Sequence, residues 1–244
     1  MHFPFFFVFI NYKKGECRLN LTIFVGEKKT TPQAMTSKNP NLDLMQFVET
    51  NILPKYNAFG RSHGITHVQR VIDRSLVIAR QLGADIDMAY TIAAYHDIGM
   101  SGPRAIHHIT GGKILSADLR LKRWFSDEQI RIMREAIEDH RASSSHAPRS
   151  IYGKIVAEAD RDLEPATVFR RTVEFGLENY PDKSKEEQWE RFCEHMQNKY
   201  SAQGYITLWI PNSPNEQYLK QIRSIIANKD LLRQEFDKYY DEEH

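Results

Sequence analysis

Cysteine is nearly absent: Cys17 and Cys193 are the two in 244 residues. Two thiols so far apart exclude a disulfide framework and a zinc site built on thiolates, and they suit a reducing, cytoplasmic setting. An excess of charge of one sign is missing as well. The chain holds 33 Lys and Arg against 32 Asp and Glu, a net charge of +1, so no global field draws it to nucleic acid or to an anionic membrane. No apolar run approaches the ~20 residues that a membrane-spanning helix needs. A glycine-rich phosphate loop, a base-reading motif, internal repeats and low-complexity tracts are also lacking. What stands out instead is histidine, ten residues of it, several of them close to Asp.

Residues 1–34 differ in character from the rest. Phe3 to Ile10 is almost continuously apolar, Asn11 to Glu16 is polar, and Leu21 to Val25 is apolar again. A secretory signal needs an early basic residue and a small-residue cleavage site, whereas Lys13 and Lys14 follow the apolar run. Two readings fit better: a β-hairpin turning near Lys14-Gly15, or a native start at Met35 that leaves the preceding residues outside the natural protein. No function is placed on this segment, and residues 35–244 are read as one domain.

That domain reads as helices throughout. An amphipathic stretch covers residues 42–53 and stops at Pro54. Val68, Val71, Ile72, Leu76 and Ala79 make one stripe of a helix from about Thr66 to Leu82, with Gly83 as its stop. Asp87 is the expected cap of the next helix, where Met88 to Tyr95 is apolar on all sides and belongs at the centre of a bundle. Gly99, Gly102 and Pro103 break it. A helix begins near Thr110, and Ser126 with Gln129 forms a capping box for another reaching His140. Residues 150–163 and 165–179 are two more helices, the second opening on Pro165. Ser184 and Glu187 cap the helix carrying Trp189 and Phe192. One long charged helix from about Pro214 to Tyr240 closes the chain. Its apolar residues Tyr218, Ile222, Ile225, Ile226, Leu232 and Phe236 serve its own core, with a homodimer as the alternative. Tyr205 to Ile210 is expected as a packed extended segment without a strand partner. The fold class is all-α, a multi-helix bundle.

Several polar side chains fall on the buried stripes. His67 lies four residues before Val71, His96 and Asp97 follow Ile92 to Ala94, and His140 continues the stripe of Ile132, Met133, Ala136 and Ile137. Asp160 follows Val156 and Ala157 on their face, whereas Glu158, Asp162 and Glu164 are expected to face water. An uncompensated buried carboxylate costs several kcal/mol or more, and a buried imidazole needs partners for both nitrogens. One inward histidine is an ordinary core residue; five such groups on separate helical segments call for a common partner. A divalent cation satisfies them together, because neutral imidazole and carboxylate are its natural ligands and bundles build metal sites from facing helices. Neighbouring helical residues point ~100° apart, so His96 and Asp97 converge only at a helix end, as Gly99 suggests. With two oxygens, Asp97 is also able to bridge a second ion.

The pattern His67, then His96-Asp97 within Ala-Ala-Tyr-His-Asp-Ile-Gly, then Asp160 within Ala-Glu-Ala-Asp resembles the H…HD…D signature of the HD superfamily of metal-dependent phosphohydrolases. The resemblance spans about residues 60–165. His63-Gly-Ile-Thr-His67-Val-Gln-Arg70-Val71 is similar to the H-D-x-x-H-x-x-R-V opening of a bacterial branch of nucleotide phosphohydrolases, with Gly64 standing where that branch has Asp. His107-His108-Ile-Thr-Gly111-Gly112 and Glu-Asp-His140-Arg resemble segments that supply histidines to a second metal. The G-Y-P motif of the cyclic-dinucleotide phosphodiesterases is missing.

The resemblance implies an HD-type helical bundle and an enzyme that hydrolyses a phosphate ester or phosphoanhydride by metal-activated water. It implies one or two divalent ions (Fe, Mn, Zn, Co or Mg). His67, His96, Asp97 and Asp160 would hold the first, and His107 (favoured over His108 by the alignment of Gly111 and Ile114-Leu115) with His140 the second, bridged by Asp97. Asp97, Arg70 and Arg104 are the expected catalytic residues, the arginines steadying phosphoryl charge; Lys113, Arg141 and Arg161 flank the other motifs. His63 is read as supporting a metal ligand, as facing substrate or as exposed at a helix start, and His146 and His195 as surface residues. The implied partner is a small phosphorylated molecule of nucleotide type, with no nucleic acid or membrane. The alternatives are an HD-fold di-iron oxygenase and a non-catalytic regulatory module with a structural ion.

Overall fold

The computed structural model describes residues 39–60, 63–144 and 146–243. The chain divides into Met1–Met35 and Thr36–His244, and the description below concerns the second unit; the expectations placed on residues 1–34 lie outside the described residues. Among the described residues ten α-helices follow one another: α1 Leu42–Asn51, α2 Ile65–Leu82, α3 Ile86–Tyr95, α4 His107–Ala117, α5 Asp127–Glu138, α6 Ile151–Asp160, α7 Pro165–Asn179, α8 Lys185–Tyr200, α9 Pro214–Ile226 and α10 Lys229–Glu243. Short 3₁₀ turns punctuate the first half, and the described residues include no β-strand. Among them no helix is long and apolar enough to cross a membrane.

Helix α3 is the axis of the first core. Every residue from Met88 to Tyr95 is buried, and α1, α2, α4, α5 and α6 close around it with Val48, Val71, Leu115, Met133, Ile137 and Val156. Each fully buried aliphatic side chain contributes roughly 1.5–3 kcal/mol of transfer free energy. The boundaries follow local chemistry. Gly83 ends α2 at φ +64°, returning its N–H to Ala79 and Arg80, a conformation that glycine adopts without a Cβ penalty. Ser126 and Gln129 cap α5 reciprocally, and Ser184 and Glu187 do the same for α8.

Four expectations are corrected. Asp85, not Asp87, caps α3 by accepting the Met88 N–H, while Asp87 accepts the Asn41 N–H instead. Helix α4 begins at His107, three residues ahead of Thr110. The closing helix is two: Asn228 Oδ1 accepts from the N–H groups of Asp230 and Leu231, which starts α10 afresh. The break lets Leu219, Ile222 and Ile226 of α9 and Leu232, Phe236, Tyr239 and Tyr240 of α10 all enter a second core with Phe169, Val173, Trp189 and Phe192. Glu158 and Asp162 do not face water. Glu158 is 1 % exposed and accepts from Ser213, Asn215 and the Trp209 N–H, tying α6 to the segment before α9. Asp162 is held by Arg70 and Arg74. The Tyr205–Ile210 segment is irregular, with Ile206 and Ile210 buried.

Candidate metal centre

Helix α3 stops at Tyr95, and the chain turns at Asp97 (φ −105°, ψ 6°) into a 3₁₀ turn over Ile98–Ser101. This break resolves the divergence of neighbouring helical side chains. His96 stays on the helix end, Asp97 leaves it, and both point to one place. Gly99 permits the turn to sit against α4: a Cβ there would overlap the His107 carbonyl oxygen and stand 2.5 Å from Gly111 N. Tyr56, fully buried, donates to the Ala94 carbonyl at 2.9 Å and steadies the same helix end.

Asp97 is 2 % exposed and lies among histidines on both sides. Around Oδ2 stand His67 Nε2 at 3.4 Å and His96 Nε2 at 3.3 Å; around Oδ1 stand His107 Nε2 at 3.3 Å and His140 Nε2 at 3.5 Å. Within each pair the Nε2 atoms approach closely, 3.1 Å for His67 and His96 and 3.2 Å for His107 and His140. Asp160 Oδ1 joins the first group, 3.2 Å from His67 Nε2 and 3.8 Å from His96 Nε2.

The remote ring nitrogens explain what these short distances mean. His96 Nδ1 lies 2.7 Å from the Ala93 carbonyl, His107 Nδ1 2.8 Å from that of Arg104, and His140 Nδ1 2.7 Å from that of Ile137. A carbonyl only accepts, so each Nδ1 carries the hydrogen and each neutral ring turns an Nε2 lone pair toward Asp97. His107 and His140 thus present two lone pairs to each other and to a carboxylate. Such a set repels itself unless a cation or extra protons stand between. Metal–ligand bonds of about 2.0–2.2 Å at ordinary coordination angles place ligand atoms roughly 3.0–3.5 Å apart, which is the spacing found here, and histidine rings oriented through Nδ1 to backbone carbonyls are the usual support of such sites. The residues fit two divalent ions. His67 differs, since its Nδ1 faces Arg70 Nη2 at 3.5 Å, the long limit of a hydrogen bond.

Without an ion, protons take up the strain. Burial opposes charge on His67, yet its bonds to Asp160 and Asp97 prevail and hold its pKa up at about 9. Burial alone would raise the Asp97 pKa; the charge of His96 and the bonds from His107, His140 and His63 instead hold it well below the usual carboxylate range. Asp160 is lowered likewise, burial being outweighed chiefly by the His67 bond.

The sequence candidates divide clearly in space. His67, His96, Asp97, Asp160, His107 and His140 come together, in groups His67–His96–Asp160 and Asp97–His107–His140, and a third group, His63–His67–Asp97, overlaps both. His108 does not join them: it lines a surface cavity of about 640 Å³ with Ile109, Glu138, Asp139, Arg141 and His146, because the residue after His107 on α4 points away from Asp97. Arg70 is committed to Asp162 at 3.2 Å. Arg104 is exposed, and what it brings to the cluster is its carbonyl for His107. Arg141 donates to the Ala105 carbonyl, and Lys113 is exposed. His146 is exposed, as expected, whereas His195 is half-buried against Tyr200. Of the three readings open for His63, the structure favours support of a ligand. Its Nδ1 is 2.6 Å from Asp97 Oδ2 and its Nε2 has no partner; its place four residues before His67 was the available signal. Tyr56 belongs to no motif, and nothing in the sequence marks it.

Comparison with known protein families covers the same residues. A family model described as "HD domain" matches residues 64–163, a span that includes all six converging side chains. No curated protein matches the sequence. Among solved structures, a predicted HD superfamily hydrolase from an uncultured Thermotogales bacterium is similar, with TM-score 0.49 and 20% identity over 82% of this chain and 94% of that one.

Proposed function

Residues 64–163 of this chain are an HD domain, and from that premise we propose that the protein is a metal-dependent phosphohydrolase. It acts in the cytoplasm on a small phosphorylated molecule of nucleotide type. The observation that carries this reading is Asp97, whose two oxygens each face a pair of imidazole nitrogens at 3.3–3.5 Å. His67, His96, Asp97 and Asp160 hold one divalent ion; His107, His140 and Asp97 hold the other. Ions bound there supply a water acidified toward neutral pH and Lewis-acid polarisation of a phosphoryl oxygen.

The chain's own groups do the rest. The imidazoles of His96, His140, His67 and His107 are 0–11% exposed, whereas the Asp160 side chain is 29% and that of His63 20% exposed. Substrate therefore enters on the side of Asp160 and His63. His63 donates its Nδ1–H to Asp97 Oδ2 at 2.6 Å and fixes the plane of the bridging carboxylate. Two divalent ions against two carboxylates leave an excess of about two positive charges, which suits a phosphate dianion over a neutral substrate.

The test is phosphate and pyrophosphate release from a panel of mononucleotides, dinucleoside polyphosphates and sugar phosphates, with manganese, cobalt or iron(II) added. The expected result is release that requires metal and disappears in Asp97→Ala. Oxygen consumption by the iron-loaded protein, with no phosphoester cleaved, would overturn the proposal in favour of a redox enzyme.

A further inference from the structure

The two histidines beside Asp97 Oδ1 are supported unequally. His140 follows Asp139, the C-cap of α5, and that helix end is clamped. Asp139 is buried and accepts from the Arg149 guanidinium at 2.8–3.1 Å and from the Arg149 N–H at 2.7 Å. The same guanidinium reaches Glu138 and the Glu135 carbonyl. The last turn of α5 is fixed in this way, and with it the Ile137 carbonyl that orients the His140 ring.

His107 has a softer support. The carbonyl that orients its ring is that of Arg104, which belongs to a 3₁₀ turn of three residues, Arg104–Ile106, that buries none of its side chains. A turn with so little packing has little local stability of its own. Among the described residues, the side chain that reaches it with a hydrogen bond from elsewhere in the chain is Arg141, whose Nη1 donates to the Ala105 carbonyl at 2.6 Å. Arg141 is the residue after His140. Its bond therefore closes a ring of contacts through both ligands: from His140 to Arg141, across to Ala105, two residues on to His107, and back through the 3.2 Å approach of the two Nε2 atoms. The bond ends on a backbone carbonyl, so it fixes the place of the main chain rather than balancing a charge. The other ion has no such dependence, since His67, His96 and Asp160 stand on α2, at the end of α3 and at the end of α6.

We propose that Arg141 is a positioning residue for the second ion: it braces the Arg104–Ile106 turn so that His107 and His140 face Asp97 Oδ1 together. The inference deepens the phosphohydrolase reading and rests on its two-ion centre. Charge alone predicts the opposite effect. Arg141 is a cation near two bound cations, so its loss would by Coulomb's law tighten them, whereas the loss of a brace weakens one of them.

The experiment is manganese titration of the chelator-treated full chain, with free ion followed by electron paramagnetic resonance, for wild type, Arg141→Met, Arg141→Lys and His140→Ala. The thermal midpoint of each metal-free protein is measured beside it. The wild type should bind two ions, and His140→Ala should keep one. Arg141→Met should hold that same ion at wild-type affinity and bind the other about tenfold or more weakly, the usual cost of losing a support of a metal ligand. Arg141→Lys, which offers an ammonium donor to the same carbonyl, should recover most of the loss. Second-ion affinity in Arg141→Met equal to or above that of wild type would overturn the proposal. So would equal weakening of both ions with a lowered midpoint, the mark of a general loss of structure. A wild type that takes up one ion or none overturns it as well. Two ions with the Arg141 effect, but no phosphoester cleaved, would keep the brace and sink the phosphohydrolase reading alone.

Discussion

Replacing Gly99 by Ala should remove one metal ion and leave the other. The new Cβ would overlap the His107 carbonyl oxygen and stand 2.5 Å from Gly111 N and 2.9 Å from His107 C. All three obstacles are backbone of α4, so no side-chain rotation relieves them, and the turn and α4 must part by about 1 Å to restore van der Waals contact. Overpacking of this kind costs about 1–3 kcal/mol, with a backbone obstacle at the upper end. At roughly 2–4 °C per kcal/mol for a domain of this size, the thermal midpoint should fall by about 6–12 °C. His107 rides on α4 and is 3.3 Å from Asp97 Oδ1; a shift of about 1 Å exceeds the few tenths of an ångström that metal ligation tolerates. His67, His96 and Asp160 lie outside α4 and keep their ion. Gly102→Ala is the control, since its Cβ would find ordinary contacts at 3.6 and 3.8 Å. The assay is thermal unfolding together with manganese stoichiometry by atomic emission. A Gly99→Ala protein melting within about 2 °C of wild type with both ions bound would refute the argument.

Chelated protein should weaken in alkali. The His67 pKa is raised from its ordinary 6.5 to about 9, so its stabilising proton is fully in place below 6.5 and is lost as pH rises through 9. The loss amounts to at most about 3 kcal/mol. Metal-loaded protein should melt at nearly constant temperature over that range, since the ions stand where the protons were; equal slopes with and without metal would contradict this. Asp97 and Asp160 run the other way: their lowered pKa values stabilise above the ordinary carboxylate range and that contribution is lost as pH falls. Glu158→Ala should cost about 2–4 kcal/mol in urea unfolding, because it strands Ser213, Asn215 and the Trp209 N–H in a buried place; a change below about 1 kcal/mol would mean that water replaces the carboxylate there.

The bundle was legible because α2, α3 and α5 bury the residues that periodicity assigns to them, and because the capping boxes at Ser126 and Ser184 are local chemistry. The gathering of His67, His96, Asp97, His140 and Asp160 was legible because polar groups on apolar stripes must meet something inside. What escaped depended on long-range packing. Asp87 looked like a cap from its neighbours alone, but Asn41 claims it. Glu158 looked water-facing on its helix until the chain returned over it at Trp209 and Ser213. His107 and His108 are alike as residues; the likeness of Gly111 and Ile114-Leu115 to the family segment favours His107, and the seat of α4 on Gly99 is what turns it inward. Asn228 inside a continuous charged pattern gave no sign of capping a new helix.

The central claim is that Asp97 bridges two ions, and metal counting tests it most directly. Protein prepared without chelator and loaded with manganese or iron should carry about two ions per chain, with Asp97→Ala carrying essentially none. One ion per chain in the wild type would reduce the centre to His67, His96, Asp97 and Asp160, and an Asp97→Ala protein that still holds two would contradict the account outright.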